Sequence, residues 1–254
     1  MNKNNTNNIV SKVDELYLIW RPTDPKVRLR QKIGILRKEN GLYKFTYLKN
    51  EVKEAKKNGF SYFPGFMDLD YVYKSEELFA NIRTRLINDK RPDYLDLLNN
   101  YGLDISADDW EILAATKGRL PTDDFEFVSP FDNKKTDFEF DVAGTRYRDI
   151  FKEENQDKLW ELKKNENRKL VLEREPENKY DKYAVAVYAD ILKSDGGFER
   201  VHLGYVPKYY SEDISNKLVD PETSYSARIK RVDLSNPNYD EKITVLVSLI
   251  FGKK

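Results

Sequence analysis

The sequence contains no cysteine and a single histidine among its 254 residues. It can therefore form no disulfide framework and no thiolate zinc site, and it has no thiol nucleophile. One histidine also excludes a zinc site built on a histidine pair, and we expect neither a metal nor a cofactor. The 44 Lys and Arg residues balance the 44 Asp and Glu residues. A net charge of zero excludes a protein that is held to nucleic acid by bulk positive charge.

Long hydrophobic runs are also missing. The apolar segment 13–20 is interrupted by Asp14 and Glu15, and it is too short to span a bilayer. It is also a poor core for a signal peptide, because it lacks an uninterrupted apolar stretch and a small-residue cleavage site. We therefore expect a cytoplasmic protein with no membrane partner. Residues 1–12 begin with a stretch rich in Asn, and they lack the apolar surface that would offset the entropy of ordering. They are expected to form a flexible tail.

The next part of the chain predicts an α+β domain over residues 13–135. Its first half has the alternation and the β-forming residues of a small antiparallel sheet, and Asn40-Gly41 is a typical two-residue hairpin turn. After that turn, Tyr43, Phe45 and Tyr47 share one face of a strand. The predicted strands are residues 16–20, 27–30, 32–37 and 42–48.

Helical periodicity replaces the strand pattern between residues 51 and 118. Ser75 is expected to cap one helix, and a second follows Pro92 and ends at Gly102. A third helix is expected to start at Ser106, with Asp109 completing a capping box. Its hydrophobic staple would pair Ile105 with Trp110, and Gly118 would end it.

The C-terminal part, residues 136–254, predicts a small β-barrel with one or two helices. A turn-rich, charged stretch over 129–140 is the expected linker. Ser211 is expected to cap a short helix that runs to Leu218. The predicted strands are residues 170–172, 183–191, 201–206, 225–232 and 243–251.

No catalytic constellation is specific in this sequence. The phosphate-binding glycine loops and the nucleophile elbow are absent. Pro92-Asp93 and Glu161-x-Lys163 fit a metal-dependent nuclease only as well as chance allows in so charged a chain. His202 lies in a predicted strand and is interpreted as a hydrogen-bonded structural residue. We expect no enzyme, and a nuclease-associated role remains the third alternative.

Three ordered blocks between residues 142 and 208 carry the most specific signal. The first is Val-Ala-Gly-Thr-Arg-Tyr over 142–147, and the second is Leu-Glu-Arg-Glu-Pro-Glu-Asn-Lys-Tyr-Asp-Lys-Tyr-Ala-Val-Ala-Val over 172–187. The third is Leu-Gly-Tyr-Val-Pro-Lys over 203–208. This order resembles the HIRAN domain, a small β-barrel module found alone in bacteria and fused to helicase-like enzymes in eukaryotes. The resemblance covers roughly residues 140–252.

The resemblance implies binding of single-stranded DNA and capture of its 3′-hydroxyl end. By position, Arg146 and Tyr147 match a pair that contacts phosphate and stacks on a base. Tyr180 and Asp181 match a pair in which the tyrosine packs on the terminal nucleotide and the aspartate accepts the 3′-hydroxyl. Lys208 matches a position that meets a phosphate. The predicted DNA-binding residues are Arg146, Tyr147, Asn178, Tyr180, Asp181, Tyr205 and Lys208.

The chemistry of these residue types agrees with that role. Aromatic faces stack on any base, at about 1–3 kcal/mol per base, and an arginine fork matches phosphate oxygens. A carboxylate repels phosphate but accepts a hydrogen bond from a hydroxyl, so Asp181 would favour a free 3′ end. The alternative interpretation is structural. Asn178 and Asp181 suit a turn in which their side chains bond to nearby backbone, and Tyr180 would cover the end of the barrel.

Two departures from the family separate this chain from compact members. Lys179 stands where proline is common, and residues 148–168 are longer and more charged. This insertion is expected to add a helix with Ile150, Phe151, Leu159 and Trp160 on its buried side. It would cover the DNA groove or form a partner surface.

The N-terminal half resembles the N-terminal region of HipA-type proteins through short matches at 34–36, 42–47, 77–79 and 113–119. No kinase catalytic loop follows, so this likeness implies a partner or regulatory module within residues 13–135. The leading hypothesis is a non-catalytic bacterial protein that binds single-stranded DNA or DNA ends, as in DNA repair. The alternative is a toxin–antitoxin-like or other protein-interaction regulator without DNA binding.

Overall fold

The structure is a computed structural model that describes residues 14–22, 30–132, 137–164, 168–193, 196–235 and 242–251. The chain divides into two compact units, Met1–Pro130 and Phe131–Lys254. Each unit combines an antiparallel sheet with a few helices. The predicted α+β class is confirmed. The predicted tail, residues 1–12, lies outside the described residues.

The first unit is built on a five-stranded antiparallel sheet. Its order is β4-β3-β2-β1-β5, with β1 Glu15–Trp20, β2 Gln31–Glu39, β3 Leu42–Tyr47, β4 Tyr73–Ser75 and β5 Phe125–Val128. The predicted strands 16–20, 32–37 and 42–48 are confirmed, whereas residues 27–29 of the fourth lie outside the described residues. Asn40 and Gly41 form the predicted hairpin turn, with φ of 51° and 79°.

Aromatic side chains dominate the core of the first unit. Tyr43, Phe45 and Tyr47 are buried on one face of β3, as their alternation predicts. The ring of Phe45 stacks on that of Phe66 with their centroids 4.4 Å apart. Gly34 leaves room for the Phe45 ring on the neighbouring strand, since a Cβ there would lie 2.7 Å from it. The packing of this unit therefore depends on large rings and on one missing side chain.

Four helices accompany this sheet, and two of their predicted caps are wrong. The helices are α1 Lys49–Lys57, α2 Ala80–Arg83, α3 Tyr94–Asn100 and α4 Asp109–Thr116. Ser75 ends β4 instead of capping a helix. Asp108, not Ser106, caps α4 in a reciprocal box with Glu111, because glutamate reaches back to the cap N–H better than the shorter aspartate. The predicted staple also fails, since Ile105 is 73% exposed.

The second unit is a six-stranded antiparallel sheet with the order β6-β11-β10-β7-β8-β9. Its strands are β6 Asp137–Asp141, β7 Lys169–Arg174, β8 Val185–Leu192, β9 Phe198–Tyr205, β10 Thr223–Val232 and β11 Ile243–Phe251. The five predicted strands are present, and β6 occupies 137–140 of the expected linker. The fold class is as expected, but the six strands form an open sheet that is not closed as a barrel.

The edges of this sheet approach each other at a single point in the described residues. Past the end of β6, Ala143 forms an isolated antiparallel bridge with Tyr205 of β9. Gly144 then takes a left-handed φ of 73° and starts a 3-10 turn. The chain leaves the sheet at this turn. No extended backbone therefore follows Ala143 that could continue pairing with β9, and the sheet does not close into a barrel.

Two helices flank the second sheet, α5 Gln156–Lys164 and α6 Lys208–Val219. The helix expected in the insertion is α5, and Ile150, Phe151 and Leu159 are buried as predicted. Trp160 is 54% exposed instead, because helical periodicity places Leu162 beside Leu159. Ser211 is not a cap, since α6 begins three residues earlier at Lys208. No helix in the described part of the chain is long and apolar enough to cross a membrane.

Candidate nucleic-acid interface

The first motif block forms an exposed turn at the point where the two sheet edges meet. The Ala143 N–H donates to the Tyr205 carbonyl and the Tyr205 N–H to the Ala143 carbonyl, both at 2.8 Å. The 3-10 turn Thr145–Tyr147 follows directly. Thr145 is buried and anchors the turn, while Arg146 and Tyr147 are exposed. The sequence thus presents a cation and an aromatic ring beside the end of β9.

The second block forms the loop between β7 and β8. Asn178 Oδ1 accepts a hydrogen bond from the Tyr180 N–H at 3.0 Å, and Asp181 Oδ1 accepts one from the Tyr183 N–H at 2.9 Å. These are the side-chain turns that the sequence predicts. They hold the backbone while Tyr180 remains 53% exposed. A fixed loop with an outward ring satisfies the structural interpretation and also suits a stacking surface.

Glu175 connects the second block to Tyr205 of the third block. Its Oε2 atom accepts hydrogen bonds from the Tyr205 hydroxyl at 3.0 Å and from Asn178 Nδ2 at 2.9 Å. Tyr205 in turn carries the backbone bridge to Ala143. Burial and the hydrogen bond to Glu175 raise the pKa of Tyr205 above its usual value of 10. The phenol therefore stays protonated and keeps donating at neutral pH.

The second block is joined to the third through Ser211 of α6. The Ser211 hydroxyl donates to Asp181 Oδ2 at 2.6 Å, and its oxygen also lies 2.9 Å from the Lys208 carbonyl. Lys208 is exposed and is the first residue of α6. The carboxylate of Asp181 thus sits beside the first turns of a helix whose N-terminal end carries a cation.

The hydrogen bonds of these segments form one continuous network. It runs from the Ala143–Tyr205 bridge through Glu175 and Asn178 into the β7–β8 loop, and from Asp181 to α6. The structure therefore brings together residues as distant in sequence as Ala143 and Tyr205, which are 62 positions apart. Every predicted site residue lies on one of them: Arg146, Tyr147, Asn178, Tyr180, Asp181, Tyr205 and Lys208.

A second layer of rings and charge supports Tyr205. The Arg148 guanidinium lies 5.2 Å from the Tyr205 ring centroid, and its Nη1 is 3.1 Å from His202 Nδ1. Arginine only donates, so Nδ1 accepts and Nε2 carries the proton toward the Gly204 carbonyl, 2.9 Å away. Burial and the charge of Arg148 lower the pKa of His202 below 6.5. His202 is the hydrogen-bonded structural residue expected from the sequence.

Four residues of this site were not predicted as site residues. Lys182 lies over the Tyr183 ring at 4.6 Å, next to Asp181. Arg148 directly follows the first block and is two residues from Arg146, so its position in the sequence was a usable signal. Glu175 and Ser211 carried no such signal, because their roles depend on contacts 30 residues away in sequence.

The site offers a defined set of interactions. Tyr147 and Tyr180 are exposed aromatic side chains, and Arg146, Lys182 and Lys208 are exposed cations on the same three segments. Asp181 accepts one hydrogen bond on each oxygen, and a carboxylate has further lone pairs for an added donor. Within the described ranges, no group of three or more His, Cys, Asp or Glu residues could hold a metal ion. These side chains are of the types that stack on planar rings, pair with anions and accept hydrogen bonds.

The fold and this site define a class: a small antiparallel sheet module in which hydrogen bonds join the turn after β6, the β7–β8 loop and the first turn of α6. Residues 135–249 match the family described as HIRAN domain. The resemblance predicted for the C-terminal half is thereby confirmed. The likeness of the N-terminal half to HipA-type proteins has no support from the comparisons. No curated protein and no solved structure matches the chain.

Proposed function

We propose that the C-terminal unit binds single-stranded DNA and captures its 3′-hydroxyl end. The HIRAN match supports the first part, because HIRAN domains are known as single-stranded DNA-binding modules. The observation that carries the second part is the position of Asp181. Asp181 follows the exposed Tyr180 directly in the β7–β8 loop, and its carboxylate is hydrogen-bonded to Ser211 in the first turn of α6, the helix that begins at Lys208. A terminal nucleotide bound there would be offered a ring, a carboxylate and a cation.

Binding along the strand would come from rings and cations without base reading. Tyr147 and Tyr180 are 38% and 53% exposed, so each keeps part of a face for a base. Stacking of this kind contributes about 1–3 kcal/mol per base whatever the base is. Arg146 and Lys208 would meet backbone phosphates. With two such cations we expect a shallow salt dependence, with a log–log slope of about −1.4.

Selection of the free end would come from charge and from donor–acceptor matching. A terminal hydroxyl donates a hydrogen bond that Asp181 accepts. A terminal phosphate brings negative charge against the carboxylate and offers it no donor at neutral pH. The neutral net charge of the chain agrees with a site that depends on a few placed groups.

Fluorescence anisotropy with two short oligonucleotides tests this function. One ends in a 3′-hydroxyl and the other, of the same sequence, in a 3′-phosphate. The hydroxyl strand should bind at least 10-fold more tightly, and Asp181→Asn should remove the difference. Asp190→Asn is the matched control, since Asp190 lies near the end of β8 remote from the β7–β8 loop and pairs with Arg200 of β9. Equal affinity of the wild type for both strands would falsify end capture.

We also propose that the N-terminal unit is the partner or regulatory module of the protein. The observation in its favour is a set of large apolar side chains exposed on this unit, with Met67 at 70%, Tyr71 at 57% and Ile105 at 73%. Such residues are enriched where proteins meet partners. Cross-linking from Met67 or Ile105 positions in cells tests it. Absence of any cross-linked protein would count against the module and against the alternative regulator without DNA binding.

A further inference from the structure

We infer that Ser211 is a positioning residue for end recognition: its hydroxyl orients the Asp181 carboxylate toward the terminal hydroxyl of the strand. The inference rests on the proposed function and assigns the source of its end selectivity. Ser211 would not touch DNA, because only 2% of its surface is exposed. It acts through Asp181 alone.

Two donors fix the plane of the Asp181 carboxylate. The Tyr183 N–H binds Oδ1 at 2.9 Å from within the loop. Ser211 binds Oδ2 at 2.6 Å from α6. With only the first bond, the carboxylate rotates about its Cβ–Cγ bond, since such sp3–sp2 torsions are broad. The hydrogen bond from Ser211 prevents this rotation. The lone pairs of the Asp181 oxygens that are not used in these two bonds then keep a fixed direction.

The Ser211 hydroxyl has one hydrogen and two acceptors within reach. The Lys208 carbonyl is 2.9 Å away and Asp181 Oδ2 is 2.6 Å away. A carboxylate is the stronger acceptor, and the shorter distance agrees with donation to Asp181. The carbonyl is three residues earlier in the same helix, as is common for helical serines. The helix therefore does not need Ser211, and its bond to Asp181 serves the loop.

Ser211 also sets the distance between the two groups that would flank the terminal nucleotide. Asp181 reads the end, and Lys208 would hold a phosphate. Both are tied to the same turn of α6, one through the Ser211 hydroxyl and one through the helix backbone. Loss of the hydroxyl should leave Lys208 in place and release only the carboxylate. Hydroxyl recognition should then weaken, and phosphate contact should not.

The test is Ser211→Ala, measured with the 3′-hydroxyl and 3′-phosphate oligonucleotides on the full chain. Alanine is the best helix former, so α6 should persist. We expect affinity for the hydroxyl strand to fall about 10-fold, in line with the loss of a hydrogen bond to a charged group. Affinity for the phosphate strand should stay within about 2-fold of wild type. Ser211→Cys replaces the alanine variant should that variant not fold.

Ser215→Ala is the matched control. Ser215 is one turn further along α6 and equally buried, and its hydroxyl oxygen accepts from Arg174 Nε at 2.8 Å. It should leave the ratio of the two affinities unchanged. In the Asp181→Asn background, Ser211→Ala should have no further effect on that ratio, because the two residues act as one unit.

The possible results separate the two proposals. If the wild type prefers the hydroxyl strand and Ser211→Ala keeps that preference, the positioning role is wrong and end capture stands. If Ser211→Ala weakens both strands equally, Ser211 is only structural and the inference is again overturned. If the wild type shows no preference, end capture fails and the role of Ser211 fails with it.

Discussion

The Tyr205 hydroxyl donates to Glu175 Oε2 across 3.0 Å, and through this bond the end of β9 holds the β7–β8 loop. Tyr205 also bridges to Ala143 through its backbone. A single residue thus connects the turn that presents Arg146 and Tyr147 with the loop that presents Tyr180 and Asp181. The relative placement of these two surfaces depends on it.

Removing that hydroxyl should weaken strand binding without changing end preference. Tyr205→Phe keeps the ring under Arg148 and deletes one hydrogen bond to a carboxylate, worth about 1.5–3 kcal/mol at most. We expect affinity for both the hydroxyl and the phosphate oligonucleotide to fall about 5-fold. Tyr188→Phe is the control, because the Tyr188 hydroxyl makes no hydrogen bond within the described part of the chain. A change confined to one oligonucleotide would contradict this role.

Gly204 should be intolerant of any side chain. Its φ is 145°, and a Cβ there would lie 2.4 Å from the Ala143 carbonyl oxygen, the acceptor of the Tyr205 N–H. Gly204→Ala would combine backbone strain with a clash against backbone, at a cost of about 2–4 kcal/mol.

Thermal unfolding of the Gly204→Ala variant measures this cost, and the Gly196→Ala variant is the control. Gly196 also has a positive φ, of 82°, but a Cβ there meets nothing within 4 Å. Gly196→Ala should lower the free energy of unfolding only by the backbone strain, about 1 kcal/mol. Its melting temperature should therefore fall less than that of Gly204→Ala. If both variants lost the same stability, the close approach of the Ala143 carbonyl to Gly204 would not be the reason that position 204 requires glycine.

The sequence predicted the local parts of this site well. The Asn178 and Asp181 turns depend on donors two residues away, and such contacts are encoded in the turn residues themselves. The hairpin at Asn40 and Gly41 was predicted for the same reason. The open sheet was not predicted, because the stop in pairing after Ala143 is decided by one glycine conformation and by edges that are distant in sequence.

The contacts of Ser211 were also beyond prediction from sequence. A serine before a helical stretch favours a cap, but here the helix begins at Lys208 and the hydroxyl faces a loop 30 residues away. The same limit applies to Trp160. Ile150 and Phe151 of the same insertion are buried, as predicted. In α5, however, the helical phase places Leu162 and not Trp160 on the buried side.

His202 should make the second unit less stable in mild acid. Its folded pKa is below the ordinary value of 6.5 because of burial and the charge of Arg148. The unfolded chain therefore binds the proton more readily, and the stability contribution is complete above pH 6.5 and is lost as pH falls toward the folded pKa.

The histidine titration is directly observable, since the chain has one histidine. The NMR signal of its ring should titrate with a midpoint below 6.5. In His202→Phe, the urea midpoint should change less between pH 7.5 and pH 5.5 than in the wild type. A midpoint at or above 6.5 would contradict the buried, arginine-facing environment.

Glu126 should control the acid stability of the first unit. It is buried, and Arg30 and Arg119 both form ion pairs with it. Burial alone would raise the pKa of Glu126, but the two guanidinium groups outweigh burial and lower it from 4.5 to about 2. Because the folded pKa is the lower one, the stabilisation is complete above pH 4.5 and is lost as pH falls toward 2. The full effect is about 3 kcal/mol.

Tryptophan fluorescence can follow this loss, because Trp20 and Trp110 are buried in the first unit. The urea midpoint reported by the wild type should fall steeply between pH 4.5 and pH 3. Glu126→Gln should be less stable at pH 7, since it leaves two cations without their anion, and it should show a flatter profile over that acid range. A Glu126→Gln protein with the same acid profile as the wild type would show that other carboxylates set the stability of this unit.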